Sequence, residues 1–62
     1  MKTYFMAWES DNKRGHSIHD FKDGEPPRQA LKIMLDSVCA EFINDEIPLV
    51  GVISANQFNR VD

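Results

Sequence analysis

The chain has 62 residues, 42% of them hydrophobic and 27% charged, with a formal net charge of -3; these proportions belong to an ordinary globular domain and exclude a disordered tail or a low-complexity segment. Its longest apolar run falls far short of the ~20 residues that cross a bilayer, and its first residues lack a secretory pattern, so a cytoplasmic location away from membranes is expected. Cys39, the single cysteine, allows no internal disulfide, no Cys/His cluster has zinc-ligand spacing, and the acidic balance speaks against general nucleic-acid binding, so no metal and no cofactor is expected.

Residues 1–62 make one small domain, and a domain of this size buries only about 60% of the surface its unfolded chain exposes. With neither disulfide nor metal to supplement a thin core, association with another copy is the expected source of further burial.

The first element is a strand over "TYFMAW", Thr3 to Trp8. Alternation puts Tyr4, Met6 and Trp8 on one side and Phe5 and Ala7 on the other. Both sides are apolar. Ser10-Asp11-Asn12-Lys13-Arg14-Gly15 is turn chemistry and predicts a hairpin loop. A second strand, His16 to Lys22, is weakly patterned, with Ile18 and Phe21 on opposite parities, and reads as an edge strand. Asp23-Gly24-Glu25-Pro26-Pro27 breaks it, and Pro27 suits the first turn of a helix.

The helical period then holds from Pro27 to about Ile43, with Leu31, Met34, Leu35, Val38, Cys39 and Phe42 on one stripe. Asn44 is the expected left-handed residue after the helix, and Pro48 confirms the stop. The third strand is read over Leu49 to Phe58, rich in β-branched residues in its first half.

The order ββαβ with a right-handed crossover predicts an α+β fold: a three-stranded antiparallel sheet of order 2-1-3 with one helix packed on one face. The hairpin loop and the helix C-terminus fall at one end, and the helix N-terminus with both chain termini at the other. One helix covers one face only. The reading places Phe5 and Ala7 beneath it and leaves Tyr4, Met6 and Trp8 on the open face, joined by Val50 and Val52 (or Leu49 and Ile53) of the third strand. Opposite parity would leave Phe5 outside, in a smaller patch.

An apolar open face points to a non-enzymatic protein-interaction module, most simply a homodimer about a two-fold axis or a complex with another protein. His16 and His19, three apart in a strand, point to opposite faces and make a poor ligand or catalytic pair. Cys39 on the core stripe reads as a small hydrophobe. An alternative from another class is anion or nucleic-acid binding at the end holding the helix N-terminus, where Lys22, Arg28, Lys32 and Arg60 gather among Asp20, Asp23, Glu25 and Asp62.

"KTYFMAW", Gly15 opening the second strand, the amphipathic helix and the closing "LVGVISANQFNRVD" resemble the very small ββαβ proteins of phage, prophage and bacterial genomes, most of unknown function. The strand-strand-helix part is also similar to the partial RNase H-like fold of HicB-type antitoxins. That likeness implies a dimer that inhibits a small RNase partner, and it assigns no residue a role.

Overall fold

Two turn-prone segments and a proline pair divide the chain into β1 (Lys2–Glu9), β2 (Arg14–Phe21), α1 (Pro27–Asn44) and β3 (Ser54–Arg60) in the computed structural model, which describes residues 1–22 and 26–62. The strand break read at Asp23-Gly24-Glu25 lies outside the described residues. The sheet is antiparallel with order β2-β1-β3, so the fold is the expected open ββαβ arrangement with β1 central.

The hairpin sets the register. Ser10 N–H donates to the Lys13 carbonyl at 2.7 Å, and its hydroxyl donates to Asn12 Oδ1 at 2.9 Å while accepting from Lys13 N–H. This closure pairs Glu9 with Arg14 and, seven residues along, Lys2 with Phe21.

Helix α1 begins at Pro27 behind Pro26, which caps without a side-chain hydrogen bond, and Ala30 N–H makes a first helical bond to the Pro26 carbonyl. It buries Ala30, Met34, Val38 and Phe42, one row of every fourth residue, with Leu31 and Leu35 packed at its margins. The expected stripe therefore holds but is centred further round, with Ala30 drawn in and Cys39 half-buried at the edge.

Its end is a Schellman motif. Ile47 N–H reaches the Phe42 carbonyl at 2.9 Å and Glu46 N–H the Ile43 carbonyl at 3.2 Å, with Glu46 at φ 55°. Ile47 then packs on the core that contains Phe42, the apolar contact that accompanies this motif. The left-handed residue is thus Glu46 and not Asn44, because the helix runs one residue past Ile43.

The side of β1 beneath the helix is the reverse of the expected one. Tyr4, Met6 and Trp8 are 3%, 0% and 6% exposed and form the core with the helix row, while Phe5 and Ala7 lie half-buried on the open side. Volume explains the choice. An 18-residue helix over a three-stranded sheet needs large side chains to fill the gap. Tyr4 stacks on Phe58 at 5.0 Å between centroids and meets Phe21 edge-on at 5.9 Å, and Trp8 meets Phe42 edge-on at 5.7 Å. The row of Phe5 and Ala7 would have supplied one ring in place of two.

The third strand also differs from its predicted span. Glu9 pairs with Ser54 and β1 ends there, so residues 49–53 have no strand to pair with. Val50 and Val52 consequently leave the sheet and lie in the connection between α1 and β3. A bulge at Asn56 separates the pairs Trp8–Ala55 and Ala7–Gln57, and it lets Ala55 and Phe58, three residues apart, both face the helix.

Candidate interaction surface

The uncovered side of the sheet is set by register. β1 contributes Thr3, Phe5, Ala7 and Glu9, and β2 contributes their cross-strand partners Asp20, Ile18, His16 and Arg14 in that order. From β3 come Asn59 opposite Phe5 and Gln57 opposite Ala7, tied to each other by a 3.0 Å side-chain hydrogen bond. The apolar centre is Phe5 beside Ile18, which is 59% exposed, and the Phe5 ring stacks at 5.9 Å on His16 one row along. Polar and charged residues surround it: Thr3 donates its hydroxyl to Asp20 at 2.6 Å, holding that carboxylate in place.

Tyr4, Met6 and Trp8, expected on this face, are instead the core, as described. Phe5 and Ile18 take their place. The sequence held a signal for both. Thr3 and Glu9 share parity with Phe5 and Ala7, which marks that row as the wetter one, and Phe21 has the parity opposite to Ile18. The surviving apolar patch, Phe5 and Ile18, is smaller than the one expected from Tyr4, Met6 and Trp8.

No family model, no curated protein and no solved structure matches the chain. The functional reading therefore rests on the geometry of the chain itself.

Val50 and Val52, also expected on the sheet face, sit with Leu49 on an exposed loop whose path is fixed by the hairpin. Asp11 N–H donates to the Val50 carbonyl at 3.0 Å, Asn12 Nδ2 to the Pro48 carbonyl at 2.7 Å, and Val50 N–H to Asn12 Oδ1 at 3.3 Å. Gly51, at φ 76°, lies so close to Asp11 that an added Cβ would come within 2.5 Å of its carboxylate. Along the hairpin itself, Glu9 to Arg14 line an open recess of about 330 Å³.

At the opposite end, two of the four cations expected to gather, Arg60 and Lys32, are paired with carboxylates on their own elements or next to them. Arg60 donates from Nε and from its terminal nitrogen to the two Asp62 oxygens, at 2.6 and 3.0 Å, and Lys32 pairs with Asp36 one helical turn on at 2.9 Å. The Asp62 carboxyl is held well below the usual carboxylate range, chiefly by the hydrogen bonds from Arg60 and then by Thr3 N–H, and the Arg60 guanidinium is correspondingly raised. Lys22 and Arg28 are exposed. Prolines at 26 and 27 leave only the Arg28 and Gln29 amides pointing from the first turn.

His16 lies on the open face and His19, half-buried, on the helix side, so the two rings do not converge. Among the described residues there is no group of three or more His, Cys, Asp or Glu placed to hold a metal, and no helix long and apolar enough to cross a membrane. Beneath the helix, opposite Met6, the Ser17 hydroxyl is buried without a hydrogen-bond partner among the described residues.

Proposed function

We propose that this protein is a non-catalytic interaction module that binds a protein surface through its open sheet face, with a second copy of the same chain as the partner. The observation that carries the reading is the pairing of Phe5 with Ile18 at the centre of a face that no other element covers among the described residues. A surface strand of a monomer ordinarily alternates apolar-in and polar-out. Here β1 keeps an aromatic ring on the outer side as well.

The thinness of the core supports it. Among the described residues seven buried side chains hold the fold together, and a second apolar layer is the ordinary way for so small a domain to add buried area. The footprint is about 15 Å across three strands and 25 Å along eight residues, which gives a total buried area of roughly 800 Å² for a face-to-face pair, below the ~1,200–2,000 Å² of stable complexes. The association is therefore weak and reversible.

Sedimentation velocity between about 10 μM and 1 mM tests it, since weak and transient associations sit at the low end of interface size. The expected result is a concentration-dependent dimer that Ile18→Asp removes without unfolding the chain, because Ile18 carries no core contact. A strict monomer over the whole range, or a dimer indifferent to Ile18→Asp, overturns the reading.

A further inference from the structure

From the register of the open face we infer that the two copies stack with their strands antiparallel about a two-fold axis lying across the strands, so that β2 covers β2 and Asp20 of each copy faces Arg14 of the other. This rests on the reading just given and adds the geometry of the pair.

Two aligned sheets packed face to face can be related by an in-plane two-fold in two ways, along the strands or across them. The face has four cross-strand rows, led on β2 by Asp20, Ile18, His16 and Arg14. An axis across the strands reverses their order. It sets Asp20 over Arg14, Ile18 over His16, and Phe5 over Ala7, a ring over a methyl, which is how facing layers interdigitate. Thr3 then meets Glu9, a hydroxyl against a carboxylate.

An axis along the strands, centred on β1 so that all three strands are covered, keeps the order of the rows and exchanges β2 for β3. Glu9 would then oppose Glu9, Phe5 would oppose Phe5 ring to ring, and Ile18 would lie on Asn59. Like charges and a mismatched apolar residue disfavour that arrangement. In the first, two copies of one attraction form by symmetry. Asp20 is already held in place by Thr3, and neither Asp20 nor Arg14 is in an ion pair among the described residues.

The test is a charge exchange read by sedimentation velocity. Asp20→Arg alone and Arg14→Asp alone each place like charges opposite one another twice per dimer, and each is expected to weaken self-association about tenfold. An equimolar mixture of the two variants restores both attractions and is expected to form a mixed dimer within about threefold of the wild-type affinity. Both variants keep a net negative charge, so overall attraction cannot mimic the rescue.

Asp20→Asn, which keeps an acceptor for Thr3, provides a version without repulsion. It should weaken the dimer, and Arg14→Gln added to it should weaken the dimer no further. A mixture no tighter than its components, or additive losses from the two neutral changes, overturns this stacking while leaving the face intact. Indifference of the wild-type dimer to Ile18→Asp removes the face itself.

Discussion

The indole of Trp8 occupies the space where Gly15 would carry a side chain: a Cβ built on that glycine would lie 2.8 Å from the ring. The two residues are paired across the β1–β2 ladder, so the bulkiest side chain of the core is accommodated by the smallest residue opposite. Adding a methyl group forces the indole to shift within the core it shares with Phe42. Gly15→Ala is expected to destabilise the fold by about 1–3 kcal/mol, the range for overpacking a tight core, despite the backbone entropy it removes. Urea unfolding followed by Trp8 fluorescence measures it; the folded emission should be blue-shifted and poorly quenched in the wild type.

Ser17 makes the opposite prediction. Its hydroxyl is buried under the helix without a partner among the described residues, and an unmet polar group there opposes folding. Ser17→Ala should raise stability by about 0.5–1 kcal/mol, as judged from the urea midpoint at unchanged slope. A loss of stability would mean that the hydroxyl does have a partner.

Glu46 holds a left-handed conformation that an L-residue adopts at a penalty, and it places a carboxylate at the negative end of α1. Glu46→Gly relieves both and is expected to stabilise the protein by about 1 kcal/mol. Thermal unfolding distinguishes this from Glu46→Gln, which relieves only the charge and should gain less.

Asn12 links the hairpin to the loop carrying Leu49, Val50 and Val52 through two hydrogen bonds, at 2.7 and 3.3 Å. Asn12→Ala should free that loop while leaving the sheet in place. The expected readout is faster amide exchange at Val50, with a global loss of only about 1–2 kcal/mol.

The clasp of Asp62 gives a pH dependence. Its folded carboxyl lies below the ordinary value of 3.8, so its contribution is complete above that value and is lost only as the pH falls through the lower folded one. Thr3 N–H and Val61 N–H, bonded to Asp62 and to the Thr3 carbonyl, should keep their chemical shifts through pH 4 and move only in stronger acid. In Asp62→Asn the acid transition of these two amides should vanish.

The helix limits and the strand order were legible because each had a cause in the sequence: Pro27 at the start, a 3.6-residue stripe, and a first strand more apolar than the other two, which suits the central place. The inner side of β1 was missed, since Tyr4, Met6 and Trp8 alternate with Phe5 and Ala7, both rows are apolar at their centres, and only the flanking Thr3 and Glu9 mark the outer row. What decides it is non-local: the cross-strand place of Gly15 and the volume beneath α1. The start of β3 was missed for a related reason. Leu49 to Ile53 has the composition of a strand, but whether it becomes one depends on β1 extending far enough to meet it, and β1 stops at Glu9. The candidate face was thus legible as a face, and its membership was not.

The bulge at Asn56 also governs how the sheet could grow. It breaks the even spacing of β3 near the middle of its seven residues, and an irregular margin is a poor template for another chain's strand. The margin of β2 is regular. A sheet with one blunted margin and one regular margin can be extended on one side only, so strand addition between copies ends at two and does not run on into a filament.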